Sequence, residues 1–285
     1  GGKVLKNLVD GNYQGNLYVV NLKENEVQGI KSYQDPAGLP EVEMAIIAIA
    51  ARFAFDWVKF LTEEKNTQAF IILSAGFSEL NEEGRKIEKQ IVEQVNKFDA
   101  ALIGPNCIGM LTPAFHGVFT QPIPKLDSNG CDLLSGSGAT ACYFMESGIH
   151  KGLSFSNIIS TGYSGQMGIE EMIKYKDITS PPEHTSKVKL LYFENINQPK
   201  LLLKHASSLI RKGVKIAAIK AGSSEAGIRA ASSHTGALAT PDVAVDALFR
   251  KAGIIRCYIR EELVAVASVF LHPELKGKNI AKELY

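Results

Sequence analysis

Residues 43–49, Glu43-Met44-Ala45-Ile46-Ile47-Ala48-Ile49, form an almost unbroken apolar run. An apolar stretch of this length without alternation predicts a strand covered on both faces, as in parallel sheets. Its surroundings agree. A helix is predicted over 53–65, a strand over 68–73, a helix over 81–98 and a strand over 100–103. Short β-type runs alternating with amphipathic helices are the pattern of parallel α/β sheets. Upstream, residues 4–10 read as a helix stopped by Gly11, and 16–20 as a strand.

Residues 112–129, with Pro113, Pro122 and Pro124 and little periodicity, read as a connector. The theme then restarts. Strands are predicted over 131–134, 157–160, 189–193 and 214–219, with helices closing near Gly148 and spanning 168–175 and 201–211. Thr240-Pro241-Asp242 predicts a helix start, with Thr240 as N-cap and Pro241 in the first turn, and Gly253 as its stop. A last helix is predicted over 260–270. The expected fold class is therefore α/β, with two tandem doubly wound parallel sheets. A Rossmann-like domain would span 1–112, a connector 113–129, a flavodoxin-like domain 130–272, and the start of a further domain 273–285. In such sheets ligands bind at the carboxyl ends of the strands.

Composition narrows the function. Of 285 residues, 45% are hydrophobic and 21% charged, which excludes disorder and fibrous repeats. Lys and Arg number 31 against 30 Asp and Glu, so neither a nucleic-acid nor a membrane-surface partner is expected. No apolar run approaches the roughly 20 residues that span a bilayer. Cys107, Cys131, Cys142 and Cys257 form no CxxC pair, so neither a metal site nor a disulfide framework is read. A cytoplasmic protein is expected.

Three loops carry the chemistry. Leu134-Ser135-Gly136-Ser137-Gly138-Ala139 ends a strand and opens a helix, whose free backbone N–H groups suit a phosphate. Ser135 and Ser137 would add hydroxyl donors. A tight turn without a ligand is an equally good reading of that motif taken singly. Gly104-Pro105-Asn106-Cys107-Ile108-Gly109 is too polar and glycine-rich for a simple connector, although a buried structural cysteine is the commoner case for Cys107. In Ala231-Ser232-Ser233-His234-Thr235-Gly236-Ala237 a histidine sits among small residues, a setting for a reactive imidazole rather than a core side chain. Glu194, ending the Leu190-Leu191-Tyr192-Phe193 strand, stands where it could fix the imidazole tautomer, although taken singly it reads as a solvated or capping carboxylate.

These loops, with Lys220-Ala221-Gly222-Ser223, occur in the order found in nucleoside-diphosphate-forming acyl-CoA synthetases. The chain resembles the CoA-binding and phosphohistidine domains of the ADP-forming acetyl-CoA synthetases and, more distantly, the succinyl-CoA synthetase α subunit. The resemblance implies that phosphate attacks an acyl-CoA to give an acyl phosphate and CoA. The phosphoryl group then passes to a histidine and on to ADP or GDP, held with magnesium at an ATP-grasp domain outside these residues. It implies His234 as the phosphohistidine, Glu194 as its supporting carboxylate, and Ser135, Gly136, Ser137 and Gly138 as the phosphate-binding turn. It implies CoA contacts at Asn21, Lys23, Ala50, Arg52, Ser74, Ala75 and Gly76, with Asn106 and Cys107 near the thioester. Expected partners are an ATP-grasp domain or β subunit, in cis or trans, an acyl-CoA and its carboxylic acid, and an oligomer is expected.

The chain departs from the family at Leu22 and Ala50, where prolines are usual, and at Gly136, where Gln or Arg is usual. A family member would begin with a strand and glycine-rich loop ahead of Gly1, and residues 276–281 resemble the first strand of a third domain, so a fragment of a longer polypeptide is expected. Two other functional readings stay open: a CoA-binding regulatory module without catalysis, and a nicotinamide-dependent dehydrogenase. The latter leaves residues 135–271 without a role.

Overall fold

The computed structural model describes residues 1–179, 186–222 and 241–272. The chain separates into two units, Gly1–Gln121 with Ser160–Gly168, and Pro122–Ile159 with the residues from Ile169 onward.

In the first unit, helix α1 (Gly2–Asp10) closes at Gly11. Asn7 anchors it: the side-chain amide donates to the carbonyls of Val118 at 2.6 Å and Thr120 at 3.1 Å. Strands β1 (Val19–Val20), β2 (Glu26–Val27) and β3 (Ile30–Tyr33) form a small sheet in the order β1-β3-β2. A parallel sheet of β4 (Met44–Ile47), β5 (Ala69–Ile72) and β6 (Ala101–Ile103) follows, with helices α2 (Ala51–Glu64) and α3 (Glu82–Lys97) as its crossovers. Asn81 caps α3 by accepting the Gly84 N–H at 2.9 Å, which satisfies one of the orphan donors of a first helical turn. The core joins Ile47, Phe70, Ile72 and Leu102 of the strands to Ala54, Val58, Leu61, Ile91 and Val95 of the two helices.

Two expectations need correction. The 43–49 strand is not covered on both faces: only Ile47 of β4 is buried, while Met44, Ala45 and Ile46 are half-buried. Among the described residues β4 lies at the margin of its sheet, and the centrally placed β5 is the buried strand. The proline-bearing stretch is also not all connector. It contains β8 (Phe115–Val118), which folds back antiparallel on β7 (Gly109–Thr112), and the start of β9 (Leu126–Ser135).

The second unit continues with α4 (Gly138–His150), β10 (Phe155–Ser160), α5 (Ile169–Thr179), β11 (Val188–Phe193), α6 (Pro199–Arg211) and β12 (Lys215–Lys220). Helix α7 (Asp242–Ala252), strand β13 (Ile255–Arg256) and helix α8 (Arg260–Leu271) complete it. Its strands run in the order β13-β12-β11-β9-β10. Counted from β9, that is 5-4-3-1-2, the flavodoxin-like order read from the other edge. Helices α4 and α8 pack together, and α5 with α6 and α6 with α7, so both faces of the sheet are covered. Gly253, left-handed at φ 82°, ends α7 as expected, but Pro241 is the N-cap of that helix rather than a first-turn residue. Thr240 lies outside the described residues.

Candidate functional sites at the carboxyl ends of the strands

In a sheet of this order the crevice opens where the winding reverses, between β9 and β11. The turn after β9 and the residue after β11 meet there. Gly136 N–H donates to the Tyr192 carbonyl at 2.9 Å, and a β-carbon built on Gly136 would lie 3.5 Å from Glu194 N and 3.8 Å from Glu194 Cγ. Glu194 thus sits directly over the turn.

The turn spends its own hydroxyls on its shape. Ser135 is fully buried; its Oγ donates to the Ser137 carbonyl at 2.7 Å and accepts the Ser137 N–H at 3.2 Å. The Ser135 hydroxyl thus takes part in closing the turn. Ser137 caps α4 by accepting the Thr140 N–H at 3.4 Å. No acceptor among the described residues takes the N–H of Gly138 or Ala139. Two donors and the positive end of a 13-residue helix remain open, the usual basis for holding an anion.

Lys220, the last residue of β12, stands opposite Phe193 in the parallel register, and Ala221 N–H donates to the Phe193 carbonyl at 2.8 Å. The lysine is 4% exposed. Burial lowers its pKa; Asp242 and Glu194 oppose that shift and Arg256 adds to it. Arg256, at the end of β13, pairs through its guanidinium with Asp242 Oδ1 and, at 3.5 Å, with Asp246 Oδ1. Lys220 appears in the sequence only as part of a family motif, and Arg256 carries no local signal because its strand is two residues long. His234 lies outside the described residues.

The first unit gathers its own loops. Ser74 Oγ donates to the Ile49 carbonyl, Asn106 N–H donates to the Ser74 carbonyl at 2.9 Å, and Cys107 Sγ donates to the Ile72 carbonyl at 3.3 Å. The segments holding Ala50, Ser74, Asn106 and Cys107 are thereby brought together above β4, β5 and β6. A β-carbon on Gly76 would stand 3.3 Å from Ala51 Cβ, which joins the 74–76 loop to the start of α2. The N–H groups of Gly76 and Phe77 are taken by the Glu79 carboxylate at 2.5 and 3.0 Å. Ala50, Ala75 and Arg52 are exposed, and the Arg52 guanidinium lies over the Phe53 ring at 4.6 Å. Asn21 Oδ1 accepts the N–H groups of Lys23 and Glu24 at 3.0 and 3.3 Å, so its side chain shapes its own turn, while Lys23 is exposed. Asn21 and Lys23 follow β1, in the separate small sheet.

Cys107 is 3% exposed, and burial raises its thiol pKa to about 12. Its sulfur packs the loop onto β5. Asn106, left-handed at φ 56°, donates from its amide to Tyr163 Oη at 2.5 Å. Tyr163 belongs to a segment that sequence reading passed over. Residues 161–167 run beside 102–106 through bonds from Gly104 N to Thr161 O, Tyr163 N to Pro105 O, Gly165 N to Gly104 O and Met167 N to Leu102 O.

Residues 1–113 match the model of a CoA-binding domain, and residues 128–270 that of the succinyl-CoA-ligase-like flavodoxin domain. The chain belongs to the nucleoside-diphosphate-forming acyl-CoA synthetase family. The α subunit of ADP-forming acetate–CoA ligase II from Pyrococcus furiosus is 33% identical over 286 residues, covering 99% of this chain and 60% of that protein. ADP-forming acetate–CoA ligase I from Archaeoglobus fulgidus is 32% identical over 287 residues, covering 99% of this chain and 40% of its own length. Among solved structures, the acetyl-coenzyme A synthetase 1 of Ca. Korarchaeum cryptofilum, in complex with phosphate and ADP, superposes with a TM-score of 0.83 at 23% identity. That match covers 93% of this chain and 56% of the other, and shows the shared fold. The synthetase-family chain described here therefore spans 60% of the P. furiosus subunit and 40% of the A. fulgidus ligase.

Proposed function

We propose that this chain is the CoA-binding and phosphohistidine portion of an NDP-forming acyl-CoA synthetase, catalysing acyl-CoA + phosphate + ADP to acid + CoA + ATP. The single observation that supports it best is the convergence of the open α4 N-terminus with Glu194 at the reversal point between β9 and β11. In this reading residues 1–112 bind CoA and residues 130–272 carry the phosphoryl group.

A phosphate oxygen attacks the thioester carbonyl carbon. The C–S bond breaks, CoA leaves as the thiol with the proton from phosphate, and an acyl phosphate results. A ring nitrogen of His234 then attacks phosphorus, the P–O bond to the acyl group breaks, and the acid leaves as carboxylate. Glu194 accepts a hydrogen bond from the other ring nitrogen, which holds the tautomer and favours the positive charge developing on the ring. Gly138 and Ala139 N–H groups meet the negative charge on the transferring phosphoryl oxygens. Finally an oxygen of ADP takes the phosphoryl group at an ATP-grasp domain or β subunit.

The P. furiosus relative is an α subunit, which supports a partner subunit or domain of that kind. A cytoplasmic setting is supported by the four free cysteines. Among the described residues no helix is long and apolar enough to cross a membrane.

The test is intact-mass analysis of the enzyme with its ATP-grasp partner after incubation with acetyl-CoA and phosphate. One acid-labile phosphoryl group is expected on the wild type and none on His234→Ala, with CoA affinity by calorimetry unchanged. Tight CoA binding without any phosphoryl gain across several acyl-CoAs would replace this reading with the regulatory module.

A further inference from the structure

Glu170, in the first turn of α5, is 3% exposed. Burying a carboxylate is costly unless donors close around it. Its donors come from far along the chain: Glu170 Oε1 accepts the N–H of Asn197 at 2.7 Å and that of Gln198 at 3.0 Å. Burial, reinforced by Glu171, raises its pKa, although the backbone N–H groups of Gln198, Glu170 and Asn197 oppose the shift. The neighbouring Glu171 accepts from the side-chain amide of Gln198. The first turn of α5 thus holds residues 197–198 by backbone and side chain at once.

Residues 194–198 join β11 to α6, and Glu194 is the first of them. The sheet fixes the upstream end of this loop, through the bonds from Gly136 N–H to the Tyr192 carbonyl and from Ala221 N–H to the Phe193 carbonyl. Ile196, in the middle, is buried. Glu170 fixes the downstream end, immediately ahead of Pro199 in the first turn of α6. Gln198 is the N-cap of α6, yet its side chain does not cap that helix. A Ser, Asp or Asn there would secure the helix start locally. A buried carboxylate 28 positions earlier does something further, because it fixes the whole loop against α5. With both ends tied, Glu194 N lies 3.5 Å from where a β-carbon on Gly136 would be.

We infer that Glu170 is a positioning residue of the phosphoryl-transfer site: its carboxylate sets the loop that carries Glu194, and so the place of Glu194 over Gly136. It touches neither substrate nor reacting atoms, and it exchanges no proton in the transfer. The inference rests on the phosphoryl-transfer reading above, in which Glu194 orients the His234 ring. Placement of that kind is steep in distance, since a shift of about 1 Å in an orienting group can cost about a hundredfold in rate.

The test is a double-variant cycle of Glu170→Ala, Glu194→Ala and the two combined, each in the enzyme with its ATP-grasp partner and supplied with acetyl-CoA and inorganic phosphate. Rates are read at a temperature where every variant is folded by circular dichroism. Should Glu170→Ala not fold, Glu170→Asp, whose carboxylate is one methylene short, takes its place. Glu170→Ala should form phosphoenzyme at least about tenfold more slowly than the wild type, with CoA affinity by calorimetry unchanged. The combined variant decides what that loss means. A residue acting through Glu194 adds less than about twofold to the loss that Glu194→Ala already causes. Losses that multiply overturn the inference, because a general weakening of the fold acts whether or not Glu194 is present. A Glu170→Ala rate equal to that of the wild type overturns it as well. Either result, with a phosphorylated wild type and a slow Glu194→Ala, leaves the phosphohistidine reading intact. A wild type that never becomes phosphorylated, or a Glu194→Ala variant as fast as the wild type, removes the reading of Glu194 and the inference together.

Discussion

Glu194 lies over Gly136, its Cγ 3.8 Å from where a β-carbon on that glycine would be. Gly136 is not among the residues with positive φ, so its backbone does not demand glycine. The absent side chain matters instead for what stands above it. At 3.5 and 3.8 Å a methyl group makes ordinary van der Waals contact, so Gly136→Ala should leave the thermal midpoint within about 2 °C of wild type and keep phosphoenzyme formation. A Gly136→Trp side chain must go where Glu194 and any phosphoryl group sit. It should fold, by circular dichroism, and lose phosphoenzyme formation by at least about tenfold. Equal rates for both variants would show that this face of the turn is not used.

Gly162 presents the opposite case. Its φ is +58°, and a β-carbon there would meet the Pro105 carbonyl oxygen at 2.0 Å and the Asn106 oxygen at 2.8 Å. Both obstacles are backbone and cannot rotate away. Gly162→Ala should therefore break the pairing of residues 161–167 with 102–106, release the Asn106–Tyr163 contact and destabilise the protein by more than about 1 kcal/mol. Urea unfolding measures the loss, and calorimetry with CoA shows whether the Asn106 loop has moved. An unchanged midpoint would mean that this close approach relaxes freely.

The alternation that defines both sheets was legible because each strand and helix announces itself within about ten residues. Gly253 is legible as a boundary for the same reason, since capping is local chemistry. What escaped was decided at a distance. The β7–β8 hairpin is set by its antiparallel pairing and by the bond from the distant Asn7 amide to the Val118 carbonyl. Residues 161–167 look like an ordinary loop until they meet residues 102–106, about 60 positions earlier. Lys220 reads as a charge that ends an apolar strand; only the folded sheet shows that it is buried. Ser135 shows the converse, a hydroxyl whose residue type is legible but whose bonds to its own turn are not.

The cysteines should divide by burial. Burial raises the thiol pKa of Cys107 to about 12 and of Cys257 to about 11, and raises that of Cys131 as well, so all three are protonated thiols at neutral pH. Cys142 is half-buried. Since the thiolate is the reactive form, native labelling with iodoacetamide at pH 7.5 should modify Cys142 first. The other three should react only on unfolding, which peptide mass spectrometry can follow. Rapid labelling of Cys107 would mean that the Asn106 loop opens readily in solution.

A buried ion pair in the second unit tests how its sheet tolerates charge away from the candidate site. Lys189 Nζ reaches Asp132 Oδ2 at 2.7 Å across the β11–β9 ladder, with both side chains fully buried, and Lys176 approaches the same oxygen at 3.7 Å. Asn157 donates to the other oxygen, Asp132 Oδ1, at 2.6 Å. Burial lowers the Lys189 pKa, with Asp132 opposing the shift. Because the folded state releases this proton more readily than the unfolded chain, its linkage term increases stability as pH rises through the lowered folded value toward the usual lysine range. Removing one partner is costlier than removing both. Lys189→Met leaves Asp132 with only the more distant Lys176 as counter-charge and should cost about 3–5 kcal/mol in urea unfolding. Adding Asp132→Leu should recover most of that loss, because two apolar side chains of similar volume need no counter-charge. If the double variant is less stable than Lys189→Met, the aspartate is being held by Asn157 and Lys176 strongly enough to stand alone, and the pair is not the unit of stability.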